Sequence, residues 1–139
     1  MKTMWGLTVR GICEYDNKIL LLKIRSRSSH DAGKWEIPGG KVKKDEFFDQ
    51  ALMREYMEET GLDVNVESFY NVVEKTYTAC KTSEKVNSIQ LIMKVSCESD
   101  EVIISKEHDD YGWFTQDEVD DMIENELLTP PAIDAFKSK

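Results

Sequence analysis

Residues 39–62, GGKVKKDEFFDQALMREYMEETGL, constrain this chain more than any other stretch. The stretch opens on a glycine pair that follows Pro38 and closes just after Gly61. Proline fixes φ, and glycine reaches backbone conformations closed to other residues, so residues 38–40 form a tight turn. Between the glycines the sequence predicts a helix, with Asp45 as its N-cap and Gly61 as its C-terminal stop. Residues three and four apart on a helix share a face. At about 100° per residue, Glu59 projects roughly 40° to one side of Glu55 and Glu58 roughly 60° to the other. Phe48, Ala51 and Leu52 project within about 60° of the same direction. One stripe is therefore apolar in its first half and acidic in its second. If Phe48 and Leu52 pack inward, the three carboxylates turn toward the protein body. Crowded carboxylates repel one another and resist losing water unless a cation joins them. A hard divalent ion such as Mg²⁺, which prefers oxygen ligands, answers that need.

At 139 residues the chain reads as one domain, residues 1–139, long enough to bury a core. It has no apolar run of membrane-spanning length. Its first residues, MKTMWGLTVR, lack the apolar segment and small-residue cleavage site of a signal peptide. Cys13, Cys80 and Cys97 are odd in number and have no metal-like spacing, which favours reduced thiols and a cytoplasmic setting. A net charge of −9 argues against a nucleic-acid polymer or an anionic membrane as partner. A small phosphorylated substrate is compatible with that charge where local cations offset the repulsion.

Residues 6–15 are rich in β-formers, Asp16-Asn17 is a turn signal, and residues 18–24 (KILLLKI) read as a strand buried on both faces. Together they predict a hairpin. Residues 25–34 form a polar loop, and Trp35-Glu36-Ile37 is a short strand stopped by Pro38. Strands are predicted over 63–74 and 87–95, joined by the polar loop 79–85, with another short strand over 101–104. Thr115-Gln116-Asp117-Glu118 has the form of a capping box and starts a helix. Thr129-Pro130 begins a last short helix that runs to about Phe136. Periodicity alone supports an α/β or α+β domain.

The acidic stretch also resembles the box of the MutT-related Nudix hydrolases, GX5EX7REUXEEXGU, where U is a bulky apolar residue. The matching residues are Gly40, Glu46, Arg54, Glu55, Glu58, Glu59, Gly61 and Leu62. Tyr56 departs from the aliphatic residue usual at the first U. The resemblance implies the Nudix α/β/α sandwich, a mixed β-sheet between the box helix and a C-terminal helix. It implies Mg²⁺ or Mn²⁺ held mainly by Glu55 and Glu59, with Glu58 in support and a backbone carbonyl from Gly39. Arg54 then orients the catalytic carboxylates with Glu46 as its partner; a surface arginine paired with Glu58 is the plainer alternative. Gly40, Glu46 and Gly61 are structural members of the motif.

The implied reaction is hydrolysis of a pyrophosphate linkage in a nucleoside diphosphate joined to a moiety X. A nucleoside triphosphate, a nucleotide sugar or a dinucleoside polyphosphate would serve. Divalent ions offset the substrate's charge and lower the pKa of a bound water, and a carboxylate takes the water's proton. That base is Glu55 or an acid of residues 107–113, EHDDYGW. This segment resembles the acidic one before a tryptophan in many Nudix proteins; Glu107 leads it, Asp109 and Asp110 are further candidates, and an acidic surface loop is the other reading. Arg25 and Arg27 are candidate phosphate contacts or else solvated charges. Tyr77, like Trp35 and Trp113, either stacks on a base or packs in the core. A homodimer is common in such families, and the residues do not decide it. The alternative function is a non-catalytic nucleotide-sensing module on the same fold, although such modules usually lose box glutamates. An acidic interaction domain without a metal is a third reading.

Overall fold

A computed structural model describes residues 3–28, 30–79 and 82–137. The chain runs β1 (Thr3–Tyr15), β2 (Lys18–Ile24), β3 (Trp35–Glu36), β4 (Gly39–Lys41), α1 (Phe48–Thr60), β5 (Asn65–Thr78), β6 (Lys85–Ser96), β7 (His108–Phe114), α2 (Gln116–Glu124) and α3 (Pro130–Lys137). The sheet order is β3-β2-β1-β6-β5, with β4 also pairing with β1 and β7 with β2. β1 and β6 are parallel, from Thr3 opposite Lys85 to Cys13 opposite Val95. The other pairings are antiparallel, so the sheet is mixed.

β2 shows why helices cover both faces. Successive strand side chains point to opposite sides. Ile19 and Leu21 enter one core, while Leu20 and Leu22 enter the other. The first core is closed by α2 and α3 through Val119, Met122, Ala132, Ala135 and Phe136. The second is closed by α1 through Ala51, Leu52 and Tyr56. This is the α/β/α sandwich anticipated above. The β1–β2 turn has Asp16 at φ 52° and Asn17 at φ 61°, as a two-residue hairpin turn of type I′ requires. The capping box of α2 is formed, with Thr115 and Glu118 each bonding the other's backbone. Gly61 ends α1 in the left-handed region at φ 73°.

The structure corrects several local expectations. The N-cap of α1 is Phe47, not Asp45. Residues 43–46 are tied off by the Lys43 N–H donating to the Glu46 carboxylate at 2.9 Å, and the helix starts only beyond that loop. Gln50 then accepts from the Phe47 N–H at 3.1 Å. Phe48 is 39% exposed, because the core beneath α1 meets it from Ala51 onward. Residues 101–104 are not a strand; the Ile103 N–H donates to the Thr60 carbonyl at the end of α1 instead of joining a ladder. Residues 108–113 are no loop, but belong to β7 and pair with β2. Gly39 and Gly40, read as part of a tight turn, also form β4 against β1. Cys80 lies outside the described residues. No helix among the described residues is long and apolar enough to cross a membrane.

Candidate active site

α1 delivers its carboxylates to the protein body by degrees. Glu59 is buried at 6% exposure, the Glu55 side chain is 17% exposed, and that of Glu58 is 54% exposed. These three glutamates and Glu107, which immediately precedes β7, line one pocket of 290 Å³. The glycine turn is fastened to the helix by the Gly39 N–H, which donates to Glu59 Oε1 at 3.1 Å. Gly40 lies directly beneath Glu55: a methyl group there would sit 2.0 Å from Glu55 Oε2.

Burial pushes the Glu59 carboxyl well above its ordinary range, and the charges of Glu36 and Glu55 add to this, opposed by the Gly39 hydrogen bond and Arg10. Glu55 is raised foremost by burial, against the pull of Arg54 and with further push from Glu58 and Glu107. A positive charge placed among these groups would relieve the penalty. The donors are all hard oxygens, which fits a divalent cation of the Mg²⁺ type. Among the described residues no three acidic, histidine or cysteine groups already converge as a closed cage. Mg²⁺ does not need one, since it commonly takes one or two carboxylates and keeps water or substrate oxygens for the rest.

Arg54 grips Glu46 with two hydrogen bonds, Nε to Oε2 at 2.9 Å and Nη2 to Oε1 at 2.8 Å. Its Nη1 lies 3.1 Å from Glu58 Oε1 and 3.6 Å from Glu55 Oε2. The Arg54 hydrogen bonds, followed by the one from Lys43 N, hold the Glu46 carboxyl down to about 2. Both pairings considered from the sequence are therefore made at once.

A second, larger cavity of 440 Å³ is also lined by Glu107, together with Arg25 and Tyr77. Arg10 stands in its wall and donates to Gln90 Oε1 at 2.7 Å, the Ile37 carbonyl at 2.7 Å and Glu36 Oε1 at 3.3 Å. The other Glu36 oxygen lies 2.7 Å from His108 Nε2. Burial pushes Glu36 up, but the Arg10 charge and the His108 hydrogen bond outweigh it and hold it below its ordinary value. The ionised carboxylate accepts, so His108 Nε2 donates. His108 is 5% exposed, and its Nδ1 has no hydrogen-bond partner among the described residues. The His108–Glu36 bond pins the start of β7, and with it Glu107, to β3.

Not every candidate arrives here. Arg27 is exposed and lines neither space. Trp35 packs edge-on against Phe114 at 5.2 Å, and Trp113 packs against Tyr15 at 5.9 Å. Both are packing residues. Asp109 accepts from the Ser26 N–H at 3.0 Å, and Asp110 is exposed on β7. Arg10, Glu36 and Gln90 were not foreseen. The available signal was polar residues at period two in otherwise apolar strands, Thr8 and Arg10 in β1, Ser88 and Gln90 in β6.

The chain matches the family model of the NUDIX domain over residues 4–135. It is similar to an 8-oxo-dGTP diphosphatase of Proteus vulgaris, 45% identical over 53 residues that make up 38% of this chain and 46% of that protein. It is also similar to a CTP pyrophosphohydrolase of Escherichia coli (strain K12), 50% identical over 58 residues, 42% of this chain and 42% of that protein. The chain thus spans less than half the length of these curated relatives. Its fold is similar to that of the MutT protein from Methanosarcina mazei Go1, with a TM-score of 0.79 and 28% identity over 99% of this chain and 94% of that one. With the carboxylate helix, the glycine turn and the two-faced sheet in place, and the family model matched across nearly the whole length, the chain belongs to the Nudix family.

Proposed function

We propose that this chain is a metal-dependent Nudix pyrophosphohydrolase that cleaves a pyrophosphate linkage in a nucleoside diphosphate joined to a moiety X. The observation that carries the reading is Glu107, which lines both the carboxylate pocket and the 440 Å³ cavity. A cavity of that size suits a nucleotide, and the shared wall brings its phosphates to the acidic helix. The nucleotides named for the relatives, 8-oxo-dGTP and CTP, make nucleoside triphosphates the favoured class.

Glu55 and Glu59 would hold Mg²⁺ or Mn²⁺, supported by Glu58 and the Gly39 carbonyl. The bound ion supplies charge neutralisation and a more acidic water. Glu107 is the favoured base for that water's proton, with Glu55 the second candidate. Arg54 acts through Glu46, Glu55 and Glu58 as a positioning residue. Arg25 and Lys41, which line the cavity, offset substrate charge.

The test is product analysis after incubating nucleoside triphosphates, nucleotide sugars and dinucleoside polyphosphates with Mg²⁺. Glu59→Gln and Glu55→Gln are expected to fold normally, to bind Mg²⁺ more weakly by calorimetry, and to lose about 10²-fold or more in turnover. Undiminished turnover in both folded variants, or no cleavage of any compound by the natural chain, would overturn the reading.

A further inference from the structure

Strand register gathers polar side chains on a sheet face whose continuation is apolar. Thr8 and Arg10 of β1 lie two residues apart, as do Ser88 and Gln90 of β6, and each such pair shares a face. Thr8 is opposite Gln90, and Ser88 is opposite Lys75 of β5. Val73, opposite Gln90 on its other side, belongs to the apolar core, as does Ile92. Thr8, Ser88 and Gln90 are nevertheless 8%, 4% and 5% exposed, and all three line the 440 Å³ cavity. Among the described residues only His108 Nδ1 is a sealed-in side-chain polar atom without a partner, so the polar atoms of this floor open onto the cavity, where a bound molecule can pair with them.

Gln90 is not a freely turning amide. A guanidinium can only donate, so the amide atom 2.7 Å from Arg10 Nε is the oxygen. The NH₂ group is thereby turned elsewhere. Arg10 is itself held by the Ile37 carbonyl and by Glu36, and Glu36 by His108. Neither the Gln90 amide nitrogen nor Arg10 Nη2 has a hydrogen-bond partner among the described residues. In a planar guanidinium the Nε–H and the adjacent Nη2–H project to the same side. Arg10 and Gln90 thus present donors in the lining of the cavity, beside the Thr8 and Ser88 hydroxyls.

We propose that Gln90, oriented by Arg10, selects the nucleobase, admitting bases with two adjacent acceptors and disfavouring adenine. This rests on the nucleotide-hydrolase reading above. A free glutamine pairs with adenine through both ends of its amide, accepting from N6 and donating to N7. Gln90 is ill-placed to do so: Arg10 Nε already holds one of the two lone pairs of its oxygen, and the adenine amino group approaching the other meets the donors of Arg10 beside it. Guanine offers O6 and N7, both acceptors, and cytosine offers O2 and N3. The Ser88 and Thr8 hydroxyls, which donate or accept, adapt to whatever flanks them.

Calorimetric titration with GMP, CMP and AMP in Mg²⁺ tests the proposal on the natural chain, Gln90→Met and Gln90→Glu. The natural chain is expected to bind GMP or CMP about tenfold or more tighter than AMP. Gln90→Met has similar length and no donors, and is expected to lose the preference. Gln90→Glu offers only acceptors and is expected to move it toward AMP; if that variant melts early, Gln90→Met decides alone. Equal affinities in the natural chain, a preference for AMP, binding of none of the three, or a preference unchanged in Gln90→Met would overturn the proposal. Failure of the hydrolase reading shows separately, as absence of cleavage across the nucleotide panel.

Discussion

Gly40→Ala separates the geometry of the carboxylates from the stability of the fold. A methyl group at Gly40 would lie 2.0 Å from Glu55 Oε2, 2.3 Å from its Cδ and 2.9 Å from Oε1. All three atoms end a flexible side chain, so Glu55 gives way and the backbone does not. An ordinary van der Waals separation requires a retreat of about 1 Å or more. Forcing a side-chain torsion about 30° off its minimum costs about 0.5–1.5 kcal/mol. The melting temperature should therefore fall only slightly, by about 2–8 °C per kcal/mol. Catalysis is less forgiving, because a misplacement of about 1 Å costs about 10²-fold. Gly39→Ala is the contrasting control: its methyl group would meet backbone, Val9 O at 2.1 Å and Arg10 Cα at 2.6 Å, at a φ of +157°. That variant should lose its fold. The assays are product release from the nucleotide panel with Mg²⁺, Mg²⁺ titration by calorimetry, and thermal melting. Gly40→Ala with natural turnover and Mg²⁺ affinity would refute the reasoning, as would a loss of stability equal to that of Gly39→Ala.

Tyr56→Phe should destabilise the fold by about 1–3 kcal/mol in denaturant titration, because the buried hydroxyl donates to the Gly11 carbonyl at 2.5 Å; a loss below about 0.5 kcal/mol would mean the bond contributes little. Glu107→Gln should lower turnover by about 10²-fold and Asp110→Asn far less, since only Glu107 lines the two spaces; equal activities would remove Glu107 from the site. Arg54→Met should narrow the stability of the fold over one pH window. The Glu46 carboxyl is held at about 2 against an ordinary 4.5. A depressed acid stabilises fully above its unfolded pKa, and that contribution is lost as pH falls through the folded one. The gap in melting temperature between the natural chain and Arg54→Met should thus be widest above pH 4.5 and shrink toward pH 2; a constant gap would contradict this.

The elements that were legible are those with local causes. The glutamates of α1 follow from helical period, the two-faced burial of β2 from its continuous apolar run, and the start of α2 from its capping box. Errors arose where a distant segment competes for a local group. Asp45 is a good cap in isolation, but Glu46 organises the preceding loop through Lys43 and Arg54. Residues 101–104 have strand chemistry, yet the Ile103 N–H is claimed by the end of α1. Tyr56, odd by the family pattern, makes sense only beside Gly11, where an added methyl group would lie 3.1 Å from its ring.

By itself, then, the sequence determined the acidic helix, the glycine turn before it and the burial of β2 on both faces, because spacing along one chain sets which residues share a face. Only the tertiary structure decided what those carboxylates look onto. Glu107 reaches them through β7 pairing with β2. Gln90 and Arg10 meet 80 residues apart in sequence through the parallel β1–β6 pairing. Parallel strands need a long crossover and leave no local signature. The cavity floor is therefore written in register, which forms only when the sheet does.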